Sequence, residues 1–219
     1  MIEAVIFDMD GLMFDTEALA KEAWLRVGAQ LGYPITEKEI AQIRGSTPAA
    51  STEIFRAAFG PEFDYPKAKA LRNAMVEHFI DQNGVPMKYG LVNLLEQLRQ
   101  HGFRTAVASS SPRKTIEKYL AMAGLAAYYD EIVSAEDVTL SKPAPDVFLL
   151  AAERLGVSAE NCLVLEDSAN GLRAARRAEM TSVCIPDIAP PDEPVLSLAA
   201  AVFPDLSYVF DWILDRNKR

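Results

Sequence analysis

The sequence predicts an α/β fold in which a doubly wound parallel sheet is interrupted by a small helical domain. Three observations lead there. Short, almost wholly apolar runs recur along most of the chain, helix-patterned stretches separate them, and one segment near the start breaks the alternation. The apolar runs are 3–8, 103–109, 131–134, 161–166 and 181–185, with a weaker one at 199–203. Continuous rather than alternating apolar character marks strands buried on both faces, the pattern of a parallel sheet. Helical periodicity at 92–100, 112–123, 145–155 and 171–178 supplies the crossovers, and right-handed βαβ connections then build a Rossmann-like core.

Between residues 16 and 85 there is no strand-like run. Helical patterns at 17–31, 37–44, 49–59 and 65–82 are separated by turn-forming residues: Gly32 and Pro34, Gly45 and Pro48, Gly60 and Pro66. The expected division is therefore a catalytic core of 1–15 and 86–219 and a helical cap of 16–85. Crossings at 14–16 and 83–90, the second carrying Gly84, Pro86 and Gly90, would let the insert rock over the core as a lid.

Composition excludes several classes. The 219 residues are 50% hydrophobic and 24% charged, which suits a folded chain rather than a disordered one. A formal charge of -9, from 22 basic and 31 acidic residues, argues against a nucleic-acid partner, whose phosphates are held by Lys and Arg. No stretch approaches the ~20 apolar residues of a membrane span. Residues 2–7 lack the basic flank and long apolar core of a signal peptide, so a cytoplasmic location is the expectation. Cys162 and Cys184 sit singly inside strand-like runs and read as buried, inert thiols. His78 and His101 have no partner motif and read as surface residues, His101 beside Gly102 at a helix end where an imidazole meets free carbonyls.

The chemistry gathers where strands end. Asp8-Met9-Asp10-Gly11-Leu12-Met13-Phe14-Asp15-Thr16 follows the first run, and open α/β sheets bind ligands beyond the carboxyl ends of their strands. One carboxylate there can attack phosphorus, and the other can pass a proton to the leaving oxygen and later take one from water. Two neighbouring carboxylates repel, so a cation is implied. Glu166-Asp167 ends the fourth run with further hard oxygen donors of the kind Mg²⁺ takes. Read alone, Asp167 serves equally well as a helix cap, and the company of Asp8 and Asp10 favours the metal. Ser109, followed by Ser110 and Ser111, ends the second run; it is either a plain helix cap or, with the amides after it, a holder of phosphate oxygens. Lys142, in Ser141-Lys142-Pro143-Ala144-Pro145, can pair with phosphoryl charge, although most lysines are simply solvated.

Taken together, these four pieces resemble, in order and spacing, the four motifs of the haloacid dehalogenase-like superfamily, over nearly the whole chain. The resemblance implies Asp8 as nucleophile, Asp10 as general acid/base, Ser109 as the motif-two hydroxyl, Lys142 as the motif-three lysine, and Glu166 and Asp167 as the motif-four acids. It also implies Mg²⁺ held by Asp8, the backbone carbonyl of Asp10 and Asp167, with Glu166 a direct or water-mediated ligand, and a phosphate group met by Gly11, Ser109, Ser110 and Lys142. An acid at Asp10 disfavours dehalogenation. The inserted helices, with Asp15-Thr16-Glu17, Ser141 to Asp146 and Glu166-Asp167-Ser168, resemble the β-phosphoglucomutase-like branch, which also holds many sugar phosphatases.

That branch separates mutases from phosphatases in the lid. Its sugar mutases carry a histidine where this chain has Ala20 and an arginine where it has Pro48, and neither replacement can bond a sugar or phosphate through its side chain. Arg44 and Gly45 remain as lid-loop candidates for substrate contact, and Arg72 reads either as an anion contact or as a solvated residue. Leu12, Phe14, Leu19 and Trp24 read as packing of the lid helices rather than as a pocket lining. The expectation is an Mg²⁺-dependent phosphatase, monomer or weak homodimer, acting on a small phosphorylated metabolite, with a sugar phosphomutase as the alternative. A binding or regulatory protein that lost catalysis is disfavoured, because clustered acids that repel give a scaffold nothing.

Overall fold

A computed structural model describes residues 1–43, 46–188 and 191–218. In chain order the elements are β1 (Ala4–Phe7), α1 (Thr16–Leu31), α2 (Glu37–Ile43), α3 (Pro48–Phe59), α4 (Tyr65–Asn83), α5 (Leu91–Gln100), β2 (Arg104–Ser109), α6 (Arg113–Met122) and β3 (Glu131–Ser134). There follow α7 (Asp146–Leu155), β4 (Cys162–Glu166), α8 (Ala169–Arg177), β5 (Thr181–Cys184), α9 (Glu193–Leu196), β6 (Ala201–Val202) and α10 (Val209–Asn217). Contacts divide the chain into one unit of Met1–Asp15 with Val85–Arg219 and another of Thr16–Gly84.

The first unit is a six-stranded, all-parallel sheet in the order β3-β2-β1-β4-β5-β6. This is the doubly wound α/β fold. Ala4 and Ile6 of β1 join Ala106, Val164, Phe148 of α7 and Ala174 of α8 in one buried cluster, while Val5 and Phe7 are equally buried. A strand with both faces covered cannot alternate in polarity, which is why its sequence reads as a continuous apolar run. The order reverses between β1 and β4, so the crevice beyond their carboxyl ends is where such a sheet takes its ligand. In register, Phe7 lies opposite Leu165 on one side and Val107 on the other, which brings the residues after β1 level with Glu166 and near Ser109.

The second unit is helical and has a core of its own. Trp24, Phe55, Phe63 and Tyr65 pack with Val27, Ile35, Ile40 and Ala68, with Trp24 stacked on Phe55 at 5.1 Å between ring centroids and Phe55 on Phe63 at 4.8 Å. Its helices start where the chain supplies caps. The Thr47 side chain accepts from the Ala50 amide ahead of α3 and the Asp64 side chain from the Lys67 amide ahead of α4, each with a proline in the first turn.

Some sequence expectations need correction and others hold. The weak run at 199–203 pairs only through Ala201–Val202, at the sheet edge. The helices α9 and α10 were not foreseen. Leu12 and Phe14 belong to the sheet unit and are fully buried, Phe14 meeting Tyr119 edge-on. Trp24 is core, and Arg72 lies over its ring at 5.6 Å. Both cysteines are free and buried. The His101 Nδ1 lies 2.9 Å from the Gln97 carbonyl, with its ring against Phe210. Among the described residues no helix is long and apolar enough to cross a membrane.

Candidate active site

Asp8 leaves β1 still tied to the sheet, its amide donating to the Leu165 carbonyl at 3.0 Å. The chain then folds into a compact turn. The Met13 amide donates to the Met9 carbonyl and that of Gly11 to Phe14, each at 2.9 Å, while Met9, Leu12, Met13 and Phe14 are wholly buried beneath it. The loop that carries the acids thus closes on itself through its own backbone, with four of its apolar side chains buried.

Lys142 is the hinge of the charges. Its Nζ donates to Asp8 Oδ1 at 2.5 Å, Glu166 Oε1 at 2.8 Å and the Ala108 carbonyl at 3.0 Å, and the ammonium lies 4.6 Å from the centre of the Phe148 ring. Its side chain is 5% exposed. Burial works against the charge, but Asp8 and Glu166 outweigh it and hold the ammonium protonated, above the ordinary lysine range. The other oxygen of Glu166, Oε2, accepts from the amides of Asp167 (3.0 Å) and Ser168 (2.8 Å) and from the Ser168 hydroxyl (2.9 Å). Ser168 in turn caps α8 through the Gly171 amide. Glu166 therefore fixes both the lysine and the start of the helix.

Asp10 is set from the neighbouring strand. The Ser111 hydroxyl donates to Asp10 Oδ2 at 2.7 Å, the Ser111 amide donates to Ser109 Oγ at 3.0 Å, and Ser134 Oγ donates to the Ser111 carbonyl at 2.8 Å. Ser109 is buried, and Ser110 is exposed just beyond β2. Gly11 runs at φ 84° against the Asp167 carboxylate. The sequence-predicted Arg44 and Gly45 lie outside the described residues.

Carboxylate oxygens of Asp8, Glu166 and Asp167 all lie within 4.8 Å of one another. Burial first, with the charges of Glu166 and Asp10 added, pushes the Asp8 carboxyl up to about 8 against the pull of Lys142. Burial thus works against the charge of Asp8, and further positive charge at this place would favour its ionised form. Oxygen-only donors crowded around one lysine fit a hard divalent cation, which lowers such a carboxyl by direct charge.

Residues 5–185 match the family of haloacid dehalogenase-like hydrolases. The chain belongs to that family. Hexitol phosphatase B of Escherichia coli is 32% identical over 201 residues, covering 90% of each chain. The fructose-1-phosphate phosphatase of the same organism is 35% identical over 185 residues, 82% of this chain and 94% of its own. Among solved structures, a β-phosphoglucomutase from Clostridium difficile matches with a TM-score of 0.77 at 25% identity, covering 100% of this chain and 98% of that one. This haloacid dehalogenase-like chain is accordingly an enzyme of the phosphoric monoester hydrolase type, and a phosphomutase also fits its neighbours.

Sequence reasoning missed three residues at this edge of the sheet. Ser111 was passed over in favour of Ser109 and Ser110, although a Ser-Ser-Ser run at a strand end offers three hydroxyls to choose from. Lys88 and Asp187, which pair at the same sheet edge, stand alone in the sequence and carry no motif. Nothing in the linear pattern pointed to them.

Proposed function

We propose that this chain is an Mg²⁺-dependent phosphatase of a small phosphorylated carbohydrate, working through an aspartyl-phosphate. The observation that carries the reading is the placement of Asp8 at the sheet's switch point, bonded to Lys142 and within reach of Asp167 and Glu166. Asp8 attacks phosphorus in line, the bond from phosphorus to the ester oxygen breaks, and Asp10 gives its proton to the departing alkoxide. Water then attacks the same phosphorus, Asp10 takes the proton, and the acyl phosphate breaks to return Asp8 and free phosphate. Lys142, with Ser109, Ser110 and the amides at the end of β2, meets the phosphoryl oxygens.

Asp8, the Asp10 carbonyl and Asp167 would hold the metal, and Glu166, whose two oxygens are taken up by Lys142 and the loop amides, would meet it through water. Bound there, Mg²⁺ supplies the positive charge that keeps Asp8 ionised and offsets the phosphoryl oxygens. The Thr16–Gly84 unit is read as the lid that selects the substrate, with Arg44 and Gly45 as candidate substrate contacts on the sequence alone. Hydrolysis is preferred to mutation on Ala20 and Pro48 and on the two phosphatase relatives. The mutase reading rests on the likeness to the Clostridium difficile enzyme.

The test is a panel of phosphorylated sugars and hexitols with Mg²⁺, read for phosphate release beside a coupled assay for glucose 6-phosphate formed from β-glucose 1-phosphate. Selective phosphate release is expected, absent in Asp8→Asn and needing more Mg²⁺ in Asp167→Asn. Isomerisation much faster than release would make the chain a mutase, and normal turnover by Asp8→Asn would remove Asp8 as nucleophile.

A further inference from the structure

Lys88 and Asp187 form a second charged group at the carboxyl edge of the sheet, one that the chemistry above does not use. Lys88 Nζ donates to Asp187 Oδ1 and lies 3.2 Å from Asp15 Oδ1. Burial pulls the Lys88 ammonium down, yet its bonds to Asp187 and Asp15 outweigh that and hold it above the ordinary lysine range. The backbone stitches the same place together. The Asp15 amide donates to the Pro86 carbonyl and the Lys88 amide to the Met13 carbonyl, both at 2.9 Å, and the Ile185 amide donates to the Glu166 carbonyl at 2.8 Å. Lys88, Asp187 and the loop bearing Asp8 are thus held to one frame.

Asp187 is the residue this frame leaves unexplained. Its side chain is only 7% exposed. Oδ1 takes the lysine, but Oδ2 is buried and has no hydrogen-bond partner among the described residues. A buried carboxylate oxygen without a donor is costly, and in a native fold it marks the place of a water or an ion. Its direction is given by Gly11. A methyl group built on Gly11 would stand 2.4 Å from Asp167 Oδ2 and 3.3 Å from Asp187 Oδ2, so both oxygens border the space left by that missing side chain. Asp187 is not among the three residues whose oxygens crowd within 4.8 Å, so it stands outside the direct donor set. Mg²⁺ keeps several of its waters when a protein binds it, and each of those waters is a donor in search of an acceptor.

We infer that Asp187 is an outer-shell carboxylate of the metal site, its Oδ2 accepting from a water carried by the cation that Asp8 and Asp167 hold. Lys88 is its positioning partner. It fixes Oδ1, turns Oδ2 toward Asp167, and supplies the charge that lets a further carboxylate sit beside three others. The inference rests on the metal reading above and adds to it a residue far outside the four motifs. Outer-shell carboxylates of this kind orient the ligand sphere and set affinity. A purely structural salt bridge between Lys88 and Asp187 would tie the loops together and leave affinity untouched.

Mn²⁺ serves as the probe, with the free ion counted by its electron paramagnetic resonance signal against metal-free protein. Asp187→Asn keeps the shape and removes the charge; its Kd for Mn²⁺ is expected to rise about 10–100-fold. Asp187→Ser, which cannot reach the water, should do the same, so the result does not hang on one variant folding well. Asp167→Asn is run beside them. If it weakens Mn²⁺ binding while both Asp187 variants match wild type, the metal site stands and the role of Asp187 is overturned. If wild-type protein takes up no Mn²⁺, the metal reading fails and the inference with it. On unmutated protein, electron spin-echo modulation in D₂O should detect exchangeable water on the bound Mn²⁺; a dry ion overturns the inference without any substitution.

Discussion

Replacing Gly171 by alanine sets two physical rules against each other. In an ordinary helix interior the change stabilises by roughly 1 kcal/mol, since glycine is the poorer helix former. Gly171 lies in α8, but a Cβ there would stand 1.7 Å from Oε1 of Glu166, 1.8 Å from its Cδ and 2.4 Å from Oε2. Glu166 is 1% exposed and held on one oxygen by Lys142, on the other by two amides and a hydroxyl, so its carboxylate cannot turn aside without breaking those bonds. Losing two bonds to a charged acceptor costs about 3–6 kcal/mol, and rupture of the buried pair with Lys142 falls in a similar range of about 3–5 kcal/mol. After the helix gain is set against this, the variant should be less stable by ~2–5 kcal/mol, a fall in Tm of about 5–15 °C for a chain of this size. Lys142 loses one of its two carboxylate supports at the same time, so phosphate release should drop with stability. Urea and thermal unfolding of the metal-free protein decide the matter. A Gly171→Ala protein as stable as wild type, or more so, would show that Glu166 is not fixed as described.

Two further outcomes follow from the burial of titrating groups. The Asp8 carboxyl is raised to about 8 by burial and by Glu166 and Asp10, whereas in the unfolded chain it ionises near 4, so the unfolded state gives up its proton first. Metal-free wild type should therefore lose stability relative to Asp8→Asn as pH rises from about 5 to 8, by up to ~1.4 kcal/mol per unit, and parallel urea-unfolding curves in EDTA across that range would refute it. Burial raises the Cys162 thiol to about 11, helped by Glu3, and the Cys184 thiol to about 12, helped by Asp167 and Glu166. Because the thiolate is the reactive form, native protein at pH 8 should resist iodoacetamide at both positions and react at both in urea; rapid native labelling at either would contradict this.

The parts of this molecule legible in its sequence are those where a single physical rule acts on consecutive residues. β1 and β4 read correctly because burial on both faces demands an unbroken apolar run, and the acids directly after them had to fall at the carboxyl edge. α3 and α4 read to within a residue or two because the turn-forming Pro48 and Pro66 lie in their first turns. What failed depended on partners distant in the chain. Ser111 meets Asp10 across 101 positions and Lys88 meets Asp187 across 99, and neither end of either pair advertises the other.

The least legible contributors are residues that act by having no side chain. Gly11 lets the Asp167 carboxylate come where its own Cβ would be, and Gly171 does the same for Glu166. Each of the adjacent acids at the end of β4 therefore has a glycine against it from a different part of the chain, one in the loop after β1 and one in α8. The consequence for charge is direct. Carboxylates can approach one another within 4.8 Å only if nothing bulky stands between them, and the repulsion so created would be offset by the cation proposed for this site. A sequence reader sees the acids and assigns them roles, but the space that lets them converge is written as glycine, a residue whose meaning depends entirely on what packs against it. The repulsion among these acids and the two glycines thus belong to one device, and a substitution at either glycine should disturb metal affinity even though neither can bind a metal.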